Sequence, residues 1–220
     1  MYSDIWHIFP PDLQTDKCGS LHKISTDYYD SEGITTLKTF AVLQEKFYKR
    51  HSKYKNPIIS GYNPDPSICR VGDDFYLVNS TFEFYPGVPV YHSKNLVNWE
   101  LINYCLRDKE QLYLDGVRPS GGIYAPMLCY HNGEFFMTTT NVSHKGHLIV
   151  HTSDIYGKWS KPVWIDQGGI DPTLLFDGED VYFASTSRDK DDRDGIFMCK
   201  INPYTGEKLS ESVCISHGCG

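Results

Sequence analysis

The sequence predicts an all-β fold built by radial repetition, a β-propeller, and three observations carry that expectation. A proline-marked strand head, Asn63-Pro64-Asp65-Pro66-Ser67-Ile68, returns as Gly169-Ile170-Asp171-Pro172-Thr173-Leu174, with Ile123-Tyr124-Ala125-Pro126-Met127-Leu128 between them. Each head runs through an apolar stretch and a Gly/Asp/Glu turn into an aromatic strand: Gly72-Asp73-Asp74-Phe75-Tyr76, Asn132-Gly133-Glu134-Phe135-Phe136 and Gly178-Glu179-Asp180-Val181-Tyr182-Phe183. An outer strand then follows, Val90-Tyr91-His92-Ser93 leading to Trp99 and Val150-His151-Thr152-Ser153 leading to Trp159, with Ile196 to Ile201 and the turn-forming Asn202-Pro203-Tyr204-Thr205-Gly206 in the third unit. Pro66 and Pro126 are 60 residues apart and Pro126 and Pro172 are 46 apart, lengths that suit one four-stranded blade with its loops.

Residues 1–55 do not share the repeat. Leu37, Phe40, Ala41, Leu43, Phe47 and Tyr48 recur at close to helical spacing, which predicts an amphipathic helix over Ile34 to Lys49, preceded by loop. Lys46, Lys49, Arg50, Lys53 and Lys55 read as a solvated helix face or linker. The chain therefore divides into an N-terminal segment, 1–55, with no assigned function, and an incomplete propeller, 56–220. Within the propeller the prolines are expected to hold Asn63, Asp65, Ala125 and Asp171 extended. Asp65 and Asp171, at the same position of two blades, are expected to point toward a common axis.

Composition narrows the function classes. The net charge of −7 is uneven, +1 over residues 1–55 and −8 over the remainder, and an acidic repeat region without a basic stripe speaks against nucleic acid or an anionic membrane as partner. No apolar run approaches the ~20 residues of a membrane helix, and the early Asp4 with no basic n-region speaks against a secretory signal, so a cytoplasmic location is expected. Seven cysteines without CxxC spacing predict neither a zinc site nor a disulfide framework; Cys69 and Cys129 read as small core residues. The acidic run Arg188 to Asp194 lacks the glycine and terminal glutamate of a calcium loop and reads as a solvated hairpin connection, while His92 and His151, at equivalent blade positions, read as structural hydrogen-bonding groups. No metal or cofactor is expected.

Two carboxylates facing each other across a sugar-sized pocket suit glycoside hydrolysis, in which one group protonates the leaving oxygen and another activates water or attacks directly. The alternative for each aspartate alone is a turn device that accepts backbone N–H bonds. Their shared blade position, flanked by glycine and aromatic residues, favours catalysis. Glu83 reads equally as pocket rim or as turn.

The ordered runs Asn63 to Ile68, Ser80-Thr81-Phe82-Glu83-Phe84-Tyr85-Pro86-Gly87-Val88-Pro89, Ser120-Gly121-Gly122-Ile123-Tyr124-Ala125-Pro126 and Gly169-Ile170-Asp171-Pro172 resemble glycoside hydrolase family 43, and within it the β-xylosidases and α-L-arabinofuranosidases. The resemblance covers residues 56–220. It implies a five-bladed β-propeller, here its first three blades, that hydrolyses xylan-derived or arabinose-substituted oligosaccharides with inversion. It further implies Asp65 as the general base, Asp171 as the carboxylate that raises the acid's pKa and orients it, and Phe82 and Tyr124 as substrate-binding wall. Tyr124 and Phe84 stand where the family often has tryptophan, and Met127 where it often has aspartate. The family's general acid, a glutamate in a Glu-Gly-Pro-His-like motif, has no match in this sequence. The expectation is thus a truncated hydrolase with little activity alone and two apolar blade faces exposed; the alternative is a carbohydrate-binding fragment without catalysis.

Overall fold

A computed structural model describes residues 54–218. The helix expected over Ile34 to Lys49 lies outside the described residues, as does nearly all of the 1–55 segment. Among the described residues the structure holds twelve strands and no helix. β1 (Ser67–Val71), β2 (Asp74–Val78), β3 (Gly87–Ser93) and β4 (Glu100–Leu106) form blade 1; β5 (Met127–His131), β6 (Glu134–Asn141), β7 (Gly146–Thr152) and β8 (Val163–Ile165) form blade 2; β9 (Ile170–Asp177), β10 (Asp180–Arg188), β11 (Asp194–Lys200) and β12 (Val213–Ser216) form blade 3. Each blade is an antiparallel meander in chain order. The three proline-marked heads open the innermost strand of each.

Strand alternation decides what each blade face meets. Cys69, Tyr76, Val78 and Val90 of blade 1 cluster with Leu128, Phe135, Met137, Leu148 and Val150 of blade 2. On the opposite face of blade 2, Phe136, Ile149, Ile165, Met127 and Cys129 cluster with Leu174, Val181, Phe183 and Cys199 of blade 3. Blade 2 is therefore apolar on both faces, and its β6 reads Phe135-Phe136-Met137 without alternation because neighbours cover both sides. Burying each large side chain at these contacts is worth about 1.5–3 kcal/mol, so the inter-blade seams hold the fold. Burial also pushes the Cys69 thiol up to about 11 and the Cys129 thiol up to about 12, which keeps both protonated and inert at neutral pH.

A polar pair repeats on the outer side of the seams. His92 Nε2 lies 2.6 Å from Asp74 Oδ1, His151 Nδ1 lies 3.3 Å from Glu134 Oε1, and Lys200 Nζ pairs with Asp180 Oδ2 at the same cross-strand position of blade 3. The hydrogen bond from Lys94, and then the one from His92, hold Asp74 below the usual carboxylate range. The acidic run of blade 3 is the β10–β11 connection, where Asp189 accepts bonds from the Arg193 and Asp191 backbone N–H groups and from the Arg193 guanidinium. Those bonds, from Arg193 first, hold its carboxyl down at about 2.

One expectation is overturned. Asp65 and Asp171 are not extended: their φ values are +53° and +56°, in the left-handed region. The reason is an additional residue at the head of the inner strand. Thr173 pairs with Ala184, but Ile170 pairs with Thr186, so three steps along β9 face two along β10. Likewise Ser67 pairs with Val78, while the Ser80 N–H donates to the Pro64 carbonyl at 3.1 Å. A bulge of this kind needs one residue in an unusual conformation, and aspartate is among the few side chains that tolerate the left-handed region. The proline that follows disfavours the right-handed helical region, which removes the other compact alternative.

Candidate active site

The heads of blades 1 and 3 each present one carboxylate. Asp65 Oδ2 accepts a 2.6 Å hydrogen bond from the Ser80 hydroxyl, which fixes the side chain over the start of its own blade. Asp171 is reached from Gly168-Gly169, a tight approach in which a Cβ on Gly169 would lie 1.6 Å from the Thr186 carbonyl oxygen. Only glycine fits there, at a φ of +94°. Burial pushes the Asp171 carboxyl above the ordinary carboxylate range, and the negative charge of Asp65 pushes it the same way. The two carboxylates, 106 positions apart in sequence, thus lie within one another's field.

Three aromatic side chains from the blade 1 and blade 2 loops form a row of their own. Phe82 packs edge-on against Tyr124, with ring centroids 5.3 Å apart, and Tyr62 lies 6.0 Å from Phe82 on the other side. Phe82 is locked by its backbone: it exchanges N–H···O bonds of 2.8 and 3.0 Å with Ile123 and holds a φ of +49°. That pairing requires the chain at Gly122 to approach closely, since a Cβ there would lie 2.4 Å from the Phe82 carbonyl oxygen. The Tyr124 hydroxyl donates to the Ser120 carbonyl at 3.1 Å, and Glu83 Oε2 accepts from the Ser120 N–H at 3.1 Å. Glu83 therefore ties the loop after β2 to the head of blade 2.

Two contributors have no precedent in the motif reading. Tyr62 extends the aromatic row, and the only signal for it is its place three residues before Asp65. His147 is wholly buried; Nδ1 lies 2.9 Å from the Thr140 hydroxyl and Nε2 lies 3.2 Å from the Gly168 carbonyl. With the proton on Nε2 donated to Gly168 and Nδ1 accepting from Thr140, a neutral imidazole satisfies both contacts. Burial lowers its pKa, which keeps it in that neutral form. The Ser185 hydroxyl donates to the same Gly168 carbonyl at 3.0 Å, so His147 and Ser185 together clamp the turn that delivers Asp171. The sequence signal was a histidine directly before the apolar run Leu148-Ile149-Val150.

Among the described residues no group of three or more His, Cys, Asp or Glu side chains is placed to hold a metal ion. The arrangement is a carboxylate at each of two sister strand heads, the charge of Asp65 adding to the rise of the Asp171 pKa, and a row of aromatic rings at Tyr62, Phe82 and Tyr124.

The family model for glycosyl hydrolases family 43 matches residues 54–219. The chain belongs to this family. It is 45% identical over 172 residues to a non-reducing end α-L-arabinofuranosidase of Bacteroides ovatus, covering 76% of this chain and 32% of that protein. It is 48% identical over 140 residues to a xylosidase/arabinosidase of Butyrivibrio fibrisolvens, covering 62% of this chain and 27% of that protein. Among solved structures, a family 43 protein of the Bacteroides ovatus xyloglucan locus aligns with a TM-score of 0.70 at 43% identity, over 76% of this chain and 33% of that one. A xylan β-1,4-xylosidase of Bacillus halodurans aligns with a TM-score of 0.69 at 33% identity, over 76% and 34% of the two chains. This family 43 chain spans about a third of the length of the relatives it matches. Its three four-stranded sheets are the corresponding part of a five-bladed propeller.

Proposed function

We propose that this chain carries the base and the orienting carboxylate of an inverting glycoside hydrolase that releases terminal xylose or arabinofuranose units from xylan-derived or arabinose-substituted oligosaccharides. Asp65 takes a proton from a water molecule, and the resulting hydroxide attacks the anomeric carbon as the glycosidic C–O bond breaks on the opposite face. Asp171, held partly out of water and kept negative beside the reaction, raises the pKa of the group that protonates the leaving oxygen and orients it. Phe82 and Tyr124 form the wall against which the terminal sugar packs; Tyr62 lengthens it.

The observation that carries this reading is the matched place of Asp65 and Asp171, each left-handed just before the proline at the head of its blade's inner strand, with the charge of Asp65 adding to burial in raising the Asp171 carboxyl. The names of the relatives, xylosidase and arabinofuranosidase, supply the substrate class. The leaving-group proton has no donor among the motif residues of this sequence. The 220-residue chain is therefore expected to bind xylo- and arabino-oligosaccharides while turning them over slowly, short by the roughly hundredfold to ten-thousandfold that general acid catalysis contributes.

The test uses a form extended by the remaining blades of a relative. Asp65→Asn there is expected to lower turnover of a nitrophenyl β-xyloside or α-arabinofuranoside by about the same hundredfold to ten-thousandfold, with calorimetric sugar binding retained. Unchanged turnover in that variant would rule out Asp65 as the base.

A further inference from the structure

The seam between blades 1 and 2 holds a cleft that the catalytic reading leaves unused. Its walls are the chain at the end of β4 and the β7–β8 connection, and two buried amides join them. Asn103 Nδ2 donates to the Ile155 and Gly157 carbonyls at 2.9 and 2.8 Å. Gln111 Oε1 accepts from the Arg107 and Asp108 N–H groups at 2.9 and 3.0 Å, while its Nε2 donates to the Trp159 and Ser160 carbonyls at 3.2 and 2.8 Å. These bonds to backbone fix one wall against the other. The space has two lobes, of about 260 and 410 Å³, that share Asp108, Gln111, Lys158 and Trp159.

The lining is short of acceptors. Four cations, Arg107, Lys109, Lys158 and Lys161, meet two carboxylates, Asp108 and Glu110, in a part of the chain whose net charge is −8. Both carboxylates are engaged: Lys158 Nζ lies 3.0 Å from Asp108 Oδ2, and Lys161 Nζ lies 2.9 Å from Glu110 Oε2. Arg107 and Lys109 pair with no carboxylate among the described residues. Trp159 is buried, and its Nε1 has no hydrogen-bond partner among the described residues. Guanidinium, ammonium and indole N–H groups only donate, so the partner this cleft fits is an acceptor with negative charge. Tyr85, Tyr104 and Tyr156 line the larger lobe together with Arg107, and the Tyr85 hydroxyl donates to the Arg107 carbonyl, which sets its ring beside that residue. Tyrosine offers a flat apolar face with a polar edge, a surface that suits a sugar ring.

We propose that this cleft binds an acidic saccharide, with the carboxylate of a uronate residue on Arg107 and its ring against the tyrosines. The guanidinium takes a carboxylate in a two-point fork, and Lys109 adds charge nearby. The Trp159 nitrogen lies under the lining, so an oxygen of the occupant reaches it through a small side-chain movement. The cleft uses neither Asp65 nor Asp171, so it holds a charged branch of the polysaccharide and not the sugar that is cleaved. The choice of a saccharide rests on the hydrolase reading, whereas the choice of a carboxylate rests on the lining alone.

The Trp159 indole N–H gives a local reading by proton–nitrogen NMR of the 220-residue chain. Its signal is the one absent from Trp159→Phe or, should that variant fail to fold, the one left by Trp6→Phe, Trp99→Phe and Trp164→Phe. Methyl β-D-glucuronoside is expected to shift it saturably, with an affinity that falls as salt rises. Methyl β-D-xyloside at the same concentrations is expected to leave it in place. Arg107→Gln, at an exposed position, is expected to weaken the glucuronoside about tenfold or more. Tyr156→Ala is expected to weaken it while the salt dependence remains. An unmoved signal, an equal response to the neutral xyloside, or an affinity untouched by Arg107→Gln overturns the proposal. Acetate or phosphate acting at concentrations as low as the glucuronoside overturns the saccharide assignment. Turnover of a nitrophenyl β-xyloside by the form extended with a relative's blades is expected to be unchanged in Arg107→Gln, which keeps this test apart from that of Asp65; a loss of turnover there would place Arg107 in the catalytic site and overturn the assignment.

Discussion

Blades 1 and 2 open with the same register and turn their first peptide in opposite ways. In blade 1 the Pro64 carbonyl accepts from the Ser80 N–H, and Asp65 follows with a φ of +53°; in blade 3 Ile170 pairs with Thr186, whose hydroxyl donates to the Ile170 carbonyl, and Asp171 follows with a φ of +56°. In blade 2 the Tyr124 N–H donates to the Thr140 carbonyl while the Tyr124 carbonyl accepts from the Thr139 hydroxyl, and Ala125 is not left-handed. All three heads absorb one additional residue. The two that carry aspartate do so with a backbone conformation costing of order 1–3 kcal/mol, and the one that carries alanine does not. At the residue before the head proline the left-handed conformation thus falls on the two blades that present a carboxylate, while blade 2 spends its polar residues on bracing: Thr140 binds His147, and His147 holds Gly168.

The predictions that break or sharpen this comparison begin with the close approach at the third head. Gly169→Ala puts a methyl group into the Thr186 carbonyl and is expected to cost about 3 kcal/mol or more, whereas Gly178→Ala, at a φ of +59° with no atom within 4 Å of the added methyl, costs about 1 kcal/mol. Chemical denaturation of the two variants checks the ranking; equal losses would show that the head is not crowded as described.

The bracing histidine comes next. His147→Ala leaves Thr140 and the Gly168 carbonyl short of a partner and is expected to destabilise the fold by about 1–3 kcal/mol. Because burial lowers the His147 pKa, the unfolded chain takes up the proton first as pH falls. Its contribution is therefore complete above the ordinary histidine value near 6.5 and is lost as pH falls through that value toward the lower folded one. Thermal melts from pH 8 to pH 5 are expected to show a steeper acid loss for the parent chain than for His147→Phe; parallel curves would contradict this.

Much of the architecture was legible because it is repeated. The Pro66, Pro126 and Pro172 heads and the aromatic strands after them place the inner two strands of each blade, and periodicity of that kind survives any uncertainty in a single element. The conformation at Asp65 and Asp171 was not legible. The local rule for a residue before proline favours an extended chain, and it is overridden by the register of the neighbouring strand, information that lies in β2 and β10 and not in the Asp-Pro dipeptide. His147 was hidden for a related reason: its strand reads as apolar filling, and its partner Gly168 is brought to it only by the packing of blade 3 on blade 2. The row from Tyr62 to Phe82 to Tyr124 likewise joins three separate loops.

A smaller effect separates charge from backbone at the third head. Asp171 is harder to ionise in the folded chain than in the unfolded one, so its carboxylate costs stability at neutral pH, and the cost fades as pH falls through the raised folded value and is gone below the ordinary carboxylate value. Asp171→Asn keeps a side chain that tolerates the left-handed region and removes the charge, so its melting temperature at pH 7 is expected to exceed that of the parent chain, with the gap closing toward pH 3. Asp171→Ala removes the same charge but adds the left-handed penalty, about 1 kcal/mol, and is expected to melt below Asp171→Asn at every pH. Calorimetry of the three proteins distinguishes the two causes, and coincident melts for the asparagine and alanine variants would remove backbone strain from the account.

The decisive measurement is the titration of the Asp171 carboxyl carbon by NMR, in the parent chain and in Asp65→Asn. If two sister blades bring their aspartates to one centre, Asp171 titrates above the ordinary aspartate value and its midpoint drops when the charge at position 65 is removed. A midpoint that does not move on that substitution would mean the two carboxylates do not share a site.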